Sequence, residues 1–260
     1  MKHIIAAAFT LLVATAASAA TLEETIDKTF DVKPGASLVL TNVNGRVTVS
    51  AWDQPRVHVV ALKKVEADRD DVQAAMRELR VELQPRDGGL VVTTHYPKRG
   101  DNGGVFDWLF GDHVEAQVRY EVMVPRSMNV DVTNTNGAIE LSGVTGRHEL
   151  DTTNGGIEVK ACAGSLDAST TNGSVHAELT SVAANQPVHL ETTNGRIELA
   201  VPRNFGAEVD ASTTNGSIKT DLPVLTTETG RNSLRGKING GGTRVRLRTT
   251  NGGISIRSLT

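Results

Sequence analysis

From Val130 onward, apolar and polar residues alternate around a recurring Asn-Gly pair. The pairs begin at Asn136, Asn154, Asn172, Asn194, Asn215, Asn239 and Asn251. Six positions before the Asn stand Val130, Leu166, Val188, Val209 and Val245, with His148 as the exception. Four before stand Val132, Leu150, Ala168, Leu190, Ala211 and Leu247. Three after come Ile139, Ile157, Val175, Ile197, Ile218 and Ile254; five after come Leu141, Val159, Ala177, Leu199 and Ile256, with Thr220 as the exception. A period of two is that of a strand with one buried face. Each unit therefore reads as strand, corner, strand.

The first four spacings are 18, 18, 22 and 21 residues, and self-similarity at that period marks a repeat architecture. "TTNG" recurs at 152, 170, 192, 213 and 249, with looser copies "NTNG" at 134 and "NVNG" at 42. Asn and Gly both accept positive φ at low cost, so the asparagines (Asn44 included) read as left-handed corners. A hairpin would use the same pair. The threonines favour stacking, because like residues on successive rungs can form hydrogen-bonded ladders. The fold class predicted is all-β, a β-solenoid of stacked coils; the alternative is an antiparallel β meander.

The N-terminal half is less regular. "SLVLTNVNGRVTVSAW" is a degenerate copy, and "RVHVVALKKV" reads as a strand. Residues 68–80 predict one short helix, with Asp68 as N-cap and Val72, Ala75, Met76 and Leu79 at helical spacing. "DGG" at 87–89 turns a hairpin. The organisation predicted is a signal peptide at 1–19, a β-rich cap with one helix at 20–120, and a solenoid at 121–260. Only "GISIRSLT" follows the last corner at Asn251. The C-terminal strand is therefore expected to be an open edge, with Arg244, Arg246, Arg248 and Arg257 guarding it against self-pairing.

Composition narrows the setting. Lys2, an apolar run and Ala17-Ser18-Ala19 make a secretory leader cleaved before Ala20. No later run is long enough for a membrane span, and Cys162, the one cysteine, lies far from the cleavage site. The protein is expected to be periplasmic or secreted. A net charge of -3 is no footprint for nucleic acid. A lone cysteine gives no internal disulfide, and Cys162 reads as a small, partly buried thiol.

"VNGRVTVSAWD" at 43–53, the helix followed by "GGLVV", "YEVMVPRSMNVDV", and the "TTNGxI" repeats together resemble an exported bacterial family of unknown function described as adhesins with β-strand repeats. The resemblance covers nearly the whole mature chain. It implies the repeat architecture and supplies no catalytic residues.

The residues themselves offer little chemistry. No zinc-binding histidine spacing and no nucleophile elbow occur. No catalytic, cofactor-binding or metal-binding residues are assigned, and His148 reads as an interior histidine. Outward positions carry Asp131, Glu149, Asp151, Asp167, His189, Glu191 and Asp210, with Glu140, Glu158 and Glu198 beyond the corner. Stacking would turn these into columns, read as a solvated face on which calcium has no effect; a cation or sugar site is the alternative. Phe106, Trp108 and Phe110 crowd one glycine-bracketed loop, either a plug or an exposed partner-binding tip. The function expected is a non-enzymatic envelope binding or structural module, monomeric, whose partner is an envelope protein or glycan. A polysaccharide-acting β-helix enzyme is the alternative.

Overall fold

The structure, a computed structural model, describes residues 19–68, 72–96 and 114–259. The chain opens with β1 (Ala19–Asp31), and β2 (Ser37–Thr41) and β3 (Val47–Trp52) flank the Asn44 corner. Strand β4 (Arg56–Asp68), helix α1 (Val72–Glu78), the hairpin β5 (Arg80–Arg86) and β6 (Gly89–His95), and β7 (Glu115–Pro125) follow. Next come β8 (Asn129–Thr133), β9 (Ile139–Ser142), β10 (Thr145–Asn154), β11 (Ile157–Asn172), β12 (Val175–Ser181), β13 (Val188–Asn194) and β14 (Ile197–Val201). Strands β15 (Ala207–Asn215) and β16 (Ile218–Thr220) form one more coil. The hairpin β17 (Val224–Thr229) and β18 (Ser233–Ile238) precedes a last coil, β19 (Thr243–Asn251) and β20 (Ile254–Ser258).

Within the repeat the coils pair in parallel and in register, apart from shifts in the β11–β12 pairing at Cys162, so the chain is a β-solenoid and the meander is excluded. One ladder runs β2, β8, β10, the second half of β11, then β13. The other runs β3, β9, the first half of β11, β12, then β14. Strand β11 belongs to both because it turns a second corner near Ala161 and Gly164, whose φ values are 51° and 110°. Leu40, Val132, Leu150, Ala168 and Leu190 from the first ladder and Val49, Ile139, Val159, Ala177 and Leu199 from the second are all buried in one core. Burial of each large aliphatic contributes roughly 1.5–3 kcal/mol. The alternation read from sequence is thus the core itself.

The corners work differently from the expectation. None of the column asparagines has positive φ; among the described non-glycine residues only Asp87, Ala161 and Asn239 do. Asn239 lies in the β18–β19 loop, outside the column. What the column requires is the glycine. A Cβ on Gly155, Gly173 or Gly195 would collide with the carbonyl oxygen of the corner glycine one rung away. The rungs approach too closely there for any side chain. The first threonine of each "TTNG" points inward and donates to a neighbouring rung's glycine carbonyl: Thr170 to Gly155 at 2.8 Å, Thr192 to Gly173 at 2.8 Å, Thr249 to Gly195 at 2.9 Å. The looser copies put an asparagine amide in this place, bonded to a carbonyl of the neighbouring strand. Asn134 Nδ2 donates to Gly45 O at 2.9 Å, and Asn42 Nδ2 to Val118 O at 3.1 Å.

The C-terminal coil is not an edge. Strand β19 lies between β13 and β15, and β20 lies between β14 and β16. The chain passes over one rung position, builds β15–β16, reverses through the β17–β18 hairpin, and returns to fill the gap. Strand β18 pairs antiparallel with β15, and β17 with β18, so the hairpin covers that end of the first ladder. The arginines face neighbouring rungs instead of guarding an edge. Arg248 reaches Asp210 at 3.2 Å and Ser212 at 2.9 Å, and Arg257 meets Glu198.

At the other end the coil order is also non-sequential. Strand β2 sits between β6 and β8, and β3 between β7 and β9. Antiparallel strands finish this end too, β5 on β6 and β1 on β4 on β7. The hairpin turn uses positive φ at Asp87 and Gly88, as its sequence predicts. Helix α1 begins at Val72, and Asp68, expected as its cap, ends β4 instead. Val72, Ala75 and Met76 are buried, and the buried Lys63 donates to Met76 O at 3.4 Å and pairs with Glu24 at 2.8 Å. A cation on a last-turn carbonyl satisfies a group the helix leaves unpaired.

Candidate functional site

Parallel register turns each outward sequence position into a column. On the first ladder Asp131, Glu149, Asp167 and His189 are consecutive, followed by Arg246 and Asp210. Beside them run Thr133, Asp151, Ser169, Glu191, Arg248 and Ser212. On the second ladder Glu140, Glu158, His176 and Glu198 are consecutive.

Most of these charges are answered locally. Arg147 pairs with Glu149 at 3.0 Å, Arg46 with Glu140 at 2.8 Å and Lys160 with Glu158 at 2.7 Å. Ser169 donates to Asp151. Desolvation, helped by Glu149 and Asp151 nearby, pushes the Asp131 carboxyl above its ordinary range. Asp167 is pushed the same way, again mainly by desolvation, with His189 opposing. Among the described residues, no three metal-ligating side chains are grouped closely enough to hold an ion.

The corner asparagines form a second, uncharged feature. Asn154 donates to Asn136, Asn172 to Asn154, Asn194 to Asn172, Asn251 to Asn194 and Asn215 to Asn251, each through Nδ2 to Oδ1 at 2.8–2.9 Å. Asn44 heads the column, bridged to Asn136, and sends its own amide to Ala116 O at 2.9 Å. Beside this ladder the second threonines, Thr153, Thr171, Thr193, Thr214 and Thr250, are exposed. The result is a ridge of amides and hydroxyls repeated once per rung. The roles of Asn42 and Asn134 were missed from sequence, although both stand where the other copies carry the inward threonine.

Two interior residues stay inside. His148 occupies the position of Val130 and Leu166, donates from Nε2 to Ala163 O at 3.3 Å, and is pushed below its ordinary pKa by burial. Its Nδ1 has no partner among the described residues. Cys162 is fully buried, deeper than expected, and burial pushes its thiol up. The aromatic cluster Phe106, Trp108 and Phe110 lies outside the described residues, as does the leader up to residue 18. No helix among the described residues is long and apolar enough to cross a membrane.

Comparison with solved structures finds a provisionally named cell adhesion protein from Clostridium sporogenes, 12% identical, covering 90% of this chain and all of that one, with a TM-score of 0.49. A provisionally named adhesin from Bacteroides fragilis is 11% identical and covers 90% of this chain and 97% of that one, with a TM-score of 0.38. Comparison with curated protein sequences gives no match. A family profile described as Toastrack DUF4097 matches residues 27–257, nearly the whole described solenoid and both its ends, and this chain belongs to that family.

Proposed function

We propose that the protein is an exported, non-enzymatic binding or structural module of the cell envelope, adhesin-like in its mode of action. The observation that carries this reading is the ridge of asparagine amides and threonine hydroxyls, displayed once per rung along the stack. Rungs lie about 4.8 Å apart. A rigid, uncharged, periodic array of donors and acceptors suits an extended partner, such as a glycan chain or an envelope protein segment, that takes many weak hydrogen bonds in parallel. The outward charges support the same reading. Most of them pair with neighbours along and across strands and so serve the stack. The leader at 1–19 supplies the route out of the cytoplasm.

The test is to express the full chain in a bacterial host, determine its mature N-terminus after fractionation, and sediment the purified mature protein with isolated envelopes. The reading expects a form beginning at Ala20 outside the cytoplasm, with saturable binding to envelopes. A protein retained in the cytoplasm with its first 19 residues attached, or one that never binds saturably, would contradict it.

A further inference from the structure

Near the far end of the second ladder, three consecutive rungs differ in side-chain length. Strand β20 lies between β14 and β16. The residue preceding its first strand position is Gly253, where the flanking rungs carry Arg196 and Ser217. Two residues on, Ser255 stands between Glu198 and Lys219. With Gly253 and Ser255 short on the middle rung, a hollow opens between Arg196 and Glu198 on one side and Lys219 on the other. Its walls are two rung spacings apart, about 9–10 Å between backbones. The hollow measures about 380 Å³ and is lined by Arg196, Glu198, Ser217, Lys219, Ser255 and Arg257.

The charges around it are unequal. Arg257 engages Glu198. Arg196 and Lys219 are exposed and have no ion pair among the described residues. The hydroxyls of Ser217 and Ser255 are likewise unengaged there. Two free cations on opposite walls, with two hydroxyl donors, face the same small volume.

We propose that this hollow binds a phosphate-type dianion, as inorganic phosphate or as a phosphomonoester. A guanidinium offers a planar fork to two oxygens, and an ammonium is a compact point charge for a third. A tetrahedral dianion has enough oxygens to take both cations and a serine hydroxyl together. A single carboxylate brings one charge and two oxygens and leaves one cation unanswered. Arg257 and His176 both face Glu198 and offset its repulsion of the ligand.

The experiment uses the mature protein at low ionic strength, where exposed charges act at full range. Calorimetric titration with inorganic phosphate is run beside co-sedimentation with vesicles containing phosphatidic acid. Three variants accompany the wild type: R196A/K219A removes both cations, S255L fills the hollow without changing charge, and R80A/R119A removes two exposed cations at the opposite end of the stack. Melting curves without ligand confirm that each is folded. The expected result is saturable binding of at least one probe, weakened at least about tenfold in R196A/K219A and in S255L but unchanged in R80A/R119A. Binding of free phosphate alone assigns a soluble ligand, and binding of vesicles as well assigns a headgroup. No saturable binding of either probe by the wild type, or equal weakening in the control variant, would overturn the proposal.

Discussion

At Gly173 a Cβ would collide with the Gly155 carbonyl oxygen, whereas the side chain of Asn172 lies exposed at the corner and bonds to Asn154 and Asn194. The two residues of one corner therefore have different tolerances. Gly173→Ala is expected to cost about 3 kcal/mol, because backbone on a neighbouring rung must move. Asn172→Val removes exposed hydrogen bonds without forcing a left-handed residue, and is expected to cost about 1 kcal/mol. Denaturant titration of both variants checks this, and equal losses would contradict the close-approach explanation. The sequence made the corner legible but not its cause. Positive φ is the reason an isolated turn selects Asn-Gly, and Gly45, Gly137 and Gly252 take it; at Gly155, Gly173 and Gly195 the constraint comes from the next rung, which no single copy displays. The inward threonines were legible as ladder formers, although their acceptor is a glycine carbonyl and not another threonine.

Between strands, the outward columns add a cost that the rungs carry. Asp131 lies in register with Glu149, and its carboxyl is raised by desolvation first, then by Glu149 and Asp151, with Arg147 opposing. A carboxyl raised on folding is harder to ionise in the folded state than in the unfolded one. Its penalty is fully present at neutral pH and is relieved as pH falls through the raised value towards the ordinary 3.8. Asp131→Asn is therefore expected to raise the melting temperature at pH 7, by an amount that shrinks as pH approaches the ordinary carboxyl range. A variant that melts lower than wild type at pH 7 would show that Asp131 is stabilising instead. Strand identity was legible from alternation, and the acidic columns followed once stacking was assumed. The length of β4 was not legible, since its polar end at Glu66–Asp68 carries the same residue types that cap a helix.

Across the whole molecule, the order of the coils departs from the order of the chain. Every corner carries nearly the same letters, so any coil can pair in register with any other, and the repeat holds no local signal of which neighbours it chooses. That is why the C-terminal coil read as an exposed edge. It lies between β13–β14 and β15–β16, with Asn251 bonded to Asn194 on one side and to Asn215 on the other. Closure by insertion gives the chain end two partners and leaves the β17–β18 hairpin to cover the first ladder beyond β15. Disulfide trapping tests this most directly. Adjacent rungs place Cα atoms about 4.8 Å apart, within reach of a disulfide, and rungs two apart exceed its limit of about 7 Å. In a background with Cys162 replaced by Ala, N194C/N251C is predicted to oxidise to an intramolecular disulfide, and N194C/N215C to remain reduced. Rapid crosslinking of N194C/N215C with none in N194C/N251C would mean that the coils stack in chain order, and would contradict the inserted C-terminal coil.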